Sequence, residues 1–226
     1  MNAGELYDTF RSNVVDTAKP YLWKDVEVYQ YMDAAYKAFV RLTGGIADFT
    51  SDACAIDVVT GEPLVDLHPS VLRVMSATKR SDSQPLEIIN STDVGRMRSV
   101  DYGQIKRLVL DNKQGPIRYF LIGMQRGKAR LIQSPLEPDT IDLHIYRLPL
   151  DSVIDDTHPL NEVDADHHIY LLDWMKHLAY NKHDADTYDP NKSEASRVRF
   201  ETYCAKMKAE WERYKHKSRS VVYGGL

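Results

Sequence analysis

Apolar positions along this chain change period twice, from helical spacing to strand spacing and back. Asn2-Ala3-Gly4-Glu5 has the form of a capping box, and Leu6, Phe10 and Val14 follow at helical spacing. Pro20 is expected to end that helix. A second helix is expected from about Asp25, an N-cap candidate. Its stripe would be Tyr29, Met32, Tyr36, Phe39 and Val40, and Gly44-Gly45 would stop it. The middle of the chain reads as strands. Residues 56–59 form a short one turned by Thr60-Gly61, and residues 71–77 look like a buried one with 86–89 as its partner. Ser91-Thr92-Asp93 opens a short helix or turn. Residues 118–122 and 129–132 flank Gln125-Arg126-Gly127-Lys128 as a hairpin, and 140–147 alternates as a further strand. Helical spacing returns after Asp155-Asp156. Ala165, Ile169, Leu172, Met175 and Ala179 make one face, and Asp189-Pro190 reads as N-cap and first turn of a last helix. The stripe of that helix is Phe200, Cys204, Met207, Trp211 and Tyr214.

This order predicts an α+β protein. A small helical bundle from residues 1–50 and 160–217 carries a β-rich, sandwich- or barrel-like insert at 51–159, followed by an extended C-terminal tail at 218–226. The tail is the segment that most needs a partner. Val221, Val222 and Tyr223 favour strand, Gly224-Gly225 is flexible, and an apolar end costs solubility unless it is covered. Arg219, Ser220, Val221, Val222, Tyr223, Gly224, Gly225 and Leu226 are therefore the candidate partner-binding residues, with a tail packed on its own domain or disordered as the alternative.

Composition narrows the function classes. With 226 residues, 43% hydrophobic and 27% charged, the chain is ordinary globular material, and a net charge of -4 carries no global nucleic-acid signature. Its 14 tyrosines suit half-buried surfaces that meet partners. Cys54 and Cys204 lie far apart; Cys204 falls on a helical apolar stripe and reads as a core thiol, which suggests a reducing compartment. No signal peptide and no membrane-spanning run is expected, so the protein is expected in the cytoplasm when made.

No constellation points to a reaction. Gly123-Met124-Gln125-Arg126-Gly127-Lys128 lacks the spacing of a phosphate loop, is followed by Ala129, and lies between strands, so the hairpin reading wins. Asp184, Asp186 and Asp189 lack the glycine and glutamate of a calcium loop and read as an acidic loop capping the next helix. Asp173 and His177 have a metal-compatible spacing without a second pair, and His167, His168, His177 and His183 read as exposed or helix-capping. Neither a catalytic triad nor a cofactor site is expected.

Several segments resemble the head–tail connector or adaptor proteins of tailed bacteriophages. They are Tyr21-Leu22-Trp23-Lys24-Asp25-Val26-Glu27 and its continuation to Ala35, Pro69-Ser70-Val71-Leu72-Arg73-Val74, and Arg130-Leu131-Ile132-Gln133-Ser134-Pro135. The fullest match is Leu178-Ala179-Tyr180-Asn181-Lys182-His183-Asp184-Ala185-Asp186-Thr187, with the Phe200 helix and the Val222-Tyr223-Gly224-Gly225 end. The resemblance implies a non-enzymatic homo-oligomer, usually a dodecameric ring, beneath the portal protein in the virion neck. It also implies a downstream tail or nozzle protein as partner, and double-stranded DNA passing without sequence specificity. A mildly acidic subunit suits that passage, because strong phosphate neutralisation would hold the DNA. Two other readings compete. One is a nucleic-acid-binding protein using Lys206, Lys208, Arg213, Lys215, Lys217 and Arg219; the other is a metal-dependent enzyme at Asp173 and His177.

Overall fold

A computed structural model describes residues 1–94, 113–184 and 186–215. Four helices, α1 (Ala3–Asn13), α2 (Asp25–Thr43), α3 (His168–Tyr180) and α4 (Pro190–Lys215), enclose in sequence an eight-stranded sheet. The protein is α+β, with the sheet inserted between α2 and α3. Two compact units result. One is Met1–Gly44 with the chain from Pro149 onward, and the other is Gly45–Leu148.

In the helical unit, α3 packs on α1, α2 and α4, and α2 also packs on α4. The capping box forms: Asn2 Oδ1 accepts the Glu5 N–H at 2.8 Å and Glu5 Oε2 accepts the Asn2 N–H at 3.1 Å. Leu6 and Phe10 are fully buried. The helix stops at Asn13, well before Pro20. Its end is fixed by Arg11, a buried residue that pairs with buried Asp16 and, at 2.8 Å, with Asp25. Asp16 in turn accepts the Leu22 N–H at 2.9 Å, which explains how the connection to α2 turns without a helix. Asp25 is one residue inside α2 and does not cap it. Its carboxylate is occupied by the Tyr7 hydroxyl and Arg11, and Glu27 accepts the Lys24 N–H at 2.9 Å instead. Met32, Tyr36, Phe39 and Val40 are buried as the spacing predicts, and Gly44 closes the helix in a left-handed conformation (φ 109°) that favours glycine. Trp23, also buried, donates its indole N–H to the Ala179 carbonyl at 3.1 Å and so ties this connection to the end of α3.

The face of α3 holds as expected at Leu172, Met175 and Ala179 and differs at its start. Residues 165–167 form a 3-10 turn and the α-helix begins at His168. The core face is therefore His168, Leu171, Leu172, Met175 and Ala179, and Ile169 is exposed. His168 is neither exposed nor a cap. Its Nε2 lies 3.0 Å from the Leu160 carbonyl and 2.9 Å from that of Val163, so that nitrogen carries the proton.

In the β-rich unit, β1 (Ile46–Asp48), β2 (Ala55–Val58), β3 (Leu64–Asp66), β4 (Val71–Lys79), β5 (Pro85–Asn90), β6 (Tyr119–Gln125), β7 (Lys128–Ile132) and β8 (Asp139–Arg147) form one curled sheet, a half-barrel. Its order is β1-β8-β4-β5-β6-β7-β3, with β2 also on β8. The strand β8 is the hub: Ile141, Leu143 and Ile145 alternate into the core while β4 lines one edge and β1 and β2 line the other. β5 and β6 are parallel, and all other pairs are antiparallel. Residues 71–77 are not a buried strand. Register shifts in the β4–β8 ladder turn Val74 and Ala77 inward, three residues apart, with Val71 half-buried against the same core, and leave Leu72 and Met75 exposed. Asp48 and Arg147 form a buried ion pair between β1 and β8. Burial pushes the Asp48 carboxyl up, but hydrogen bonds from Ser51, Arg147 and the N–H groups of Thr50 and Ser51 hold it well below the ordinary carboxylate range.

Candidate functional site

Asp189 and Pro190 start α4 as predicted: Asp189 Oδ1 accepts the Lys192 N–H at 3.0 Å. The helix then runs for 26 residues against the 13 of α3. At ~1.5 Å per residue it is about 20 Å longer than its neighbour. The two lie antiparallel, with His177 Nδ1 2.9 Å from Ser193 Oγ, Asp173 on Arg199, and His167 2.8 Å from the Tyr203 hydroxyl. At Tyr203 the chain has already reached the beginning of α3. Phe200, Cys204 and Met207 are therefore buried, and burial pushes the Cys204 thiol up to about 12. The stripe then runs off the end of the bundle. Trp211 is 47% exposed and Tyr214 is 89% exposed, so the last two members of the predicted stripe are not in the core of this unit.

Charge follows the same division. Arg197 is held by Glu194 and Glu201, Arg199 by Asp173, and Lys192 by Asp189. Among the described residues, no carboxylate pairs with Lys206, Lys208 or Arg213. The far end of α4 thus presents aromatic side chains and unpaired cations together.

A second exposed feature of this unit lies on residues 150–162. An open groove of ≈ 680 Å³ has Leu150, Ile154 and Pro159 as apolar lining and Asp151, Asp155 and Glu162 as acidic lining. Ile154 is 74% exposed. The segment is anchored to the helices: Val153 is buried and donates its N–H to Asp33 at 3.1 Å, and the Gly4 N–H binds the Asp156 carbonyl at 3.0 Å. The expected boundaries divided this stretch, with 150–159 in the insert and 160–162 in the bundle. A signal was present, because the segment 149–175 holds seven carboxylates and neither Lys nor Arg.

The other candidates resolve into structure. Asp173 and His177 are engaged separately, by Arg199 and Ser193. Among the described residues no group of three His, Cys, Asp or Glu is placed to hold a metal ion. The Gly123–Lys128 stretch is a hairpin between β6 and β7, with Gly127 at φ 72° in its two-residue turn. No described helix is long and apolar enough to cross a membrane. Arg219, Ser220, Val221, Val222, Tyr223, Gly224, Gly225 and Leu226 lie outside the described residues, as do Lys217 and Ala185.

Among the described residues, the exposed aromatic and basic end of α4 and the open acidic groove are the surface features left after the sequence candidates are placed. The model of the SU10 adaptor protein family matches residues 1–222, and the chain belongs to that family of phage head–tail adaptors. It is a structural adaptor family, not an enzyme family. No curated protein matches the chain.

Proposed function

We propose that this protein is the subunit of a ring that sits below the portal protein in the virion neck, joins the capsid to the next tail or nozzle component, and continues the channel through which double-stranded DNA leaves. It assembles in the host cytoplasm and acts by geometry, without making or breaking bonds. Arg219, Ser220, Val221, Val222, Tyr223, Gly224, Gly225 and Leu226 form its docking tail. The observation that carries this reading is the family match over residues 1–222. It is supported by an apolar stripe that α4 leaves uncovered at Trp211 and Tyr214, immediately before that tail. A head-to-tail contact repeated about an axis closes a ring when the rotation allows it. The family match ranks this reading above the competing one, nucleic-acid binding by the basic end of the last helix, where Lys206, Lys208 and Arg213 have no carboxylate partner among the described residues. Deleting residues 221–226 tests the proposal. The shortened protein is expected to fold as before and to fail to join portal-bearing particles, scored by sedimentation with the particle. Incorporation at the full-length level contradicts the docking role.

A further inference from the structure

Two exposed features of this chain are complementary to each other. The far end of α4 carries Trp211 and Tyr214 on its exposed stripe, and between Lys206 and Arg219 the sequence has six cations against two carboxylates. The groove on residues 150–162 has apolar walls at Leu150 and Ile154 and acidic walls at Asp151 and Asp155. Among the described residues no Lys or Arg pairs with Asp151, Asp155 or Asp156. The groove's ≈ 680 Å³ lies within the ~300–1,000 Å³ of sites that hold a group of indole size or larger. Each feature alone leaves apolar area in water beside uncompensated charge of one sign.

We propose that the groove of one copy receives the basic, aromatic end of α4 from a second copy of this chain. Trp211 or Tyr214 seats between Leu150 and Ile154, and the cations around Arg213 meet Asp151 and Asp155. The contact is heterologous: each copy gives a helix end on one side and a groove on the other, so the pattern propagates from copy to copy. This inference rests on the ring reading above and identifies which surfaces make the ring. Opposite charge at the rim selects the register and excludes groove-to-groove and end-to-end pairing, where like charges would face each other.

The test uses the full chain in assembled particles, with a photoreactive benzophenone side chain in place of Ile154, a position exposed enough to leave the core untouched. Illumination is expected to give an adaptor band of doubled mass. Peptide mapping should place the cross-link in residues 207–219 of the second copy. Asp151→Lys with Asp155→Lys should lower the yield by at least about tenfold, and adding Arg213→Glu with Lys217→Glu should restore it. A cross-link within one chain, to a different protein, or at undiminished yield after charge reversal overturns the proposal. Incorporation into particles is read separately. A photoreactive chain that enters particles normally without the adaptor–adaptor cross-link defeats this inference and leaves the adaptor reading standing, whereas an unsubstituted chain that never enters particles defeats both.

Discussion

Up to Met207, the apolar stripe of α4 lies under α2 and α3; from Trp211 onward the same stripe faces solvent. The spacing of apolar residues does not change at that point, and neither does the helix. What changes is the length of the neighbour, since α3 begins at His168 and offers no further surface. Charge divides about one turn earlier: Lys192, Arg197 and Arg199 are paired, whereas Lys206, Lys208 and Arg213 have no carboxylate partner among the described residues. An amphipathic pattern therefore specifies that a helix will bury a face. It does not specify whether the cover comes from the same chain.

The contrast can be broken at either half. Phe200→Ala removes a fully buried ring from the covered half and should destabilise the helical unit by about 3–5 kcal/mol in urea denaturation. A loss below about 1 kcal/mol would mean the covered half is not packed as described. A control lies in the β-rich unit. The Asp48 carboxyl is held low in the folded state, so its stabilisation is present above the unfolded value near ~3.9 and is lost as pH falls through that value toward the folded one. Asp48→Asn should flatten this acid limb, by about 1 kcal/mol between pH 7 and pH 3, without altering the response to Phe200→Ala. An unchanged acid limb would contradict the role given to the Asp48–Arg147 pair. The smallest effect on the free chain is expected from Trp211→Ala, within about 0.5–1 kcal/mol of the parent for a half-exposed side chain. A cost of ~3 kcal/mol or more would return Trp211 to the core.

The elements whose signals are local were legible in the sequence. The Asn2 capping box, the Gly44 stop, the β6–β7 hairpin and the Asp189-Pro190 start all rest on interactions within a few residues, and all formed. Features that depend on distant partners were not legible. The strand 71–77 looked buried because its residues are apolar and β-branched, yet the β8 register leaves half of them outside. Ala165 and Ile169 looked like the α3 face because the helical spacing was carried back through the 3-10 turn at 165–167. His168 read as exposed or helix-capping, since nothing local shows the carbonyls of Leu160 and Val163 that accept the hydrogen bond from its Nε2–H. Trp211 and Tyr214 continued a correct stripe past the point where the bundle could cover it. The groove at 150–162 was missed because Leu150 and Ile154 stand isolated among polar residues and match no period.

The account depends on Trp211 and Tyr214 becoming covered by another subunit. Hydroxyl-radical footprinting of the free chain and of assembled particles measures that directly, with Phe200 as the internal reference. Oxidation of Trp211 and Tyr214 is expected to be fast in the free chain and suppressed in particles, while Phe200 stays slow in both. Equal rates at Trp211 and Tyr214 in the two states would contradict it.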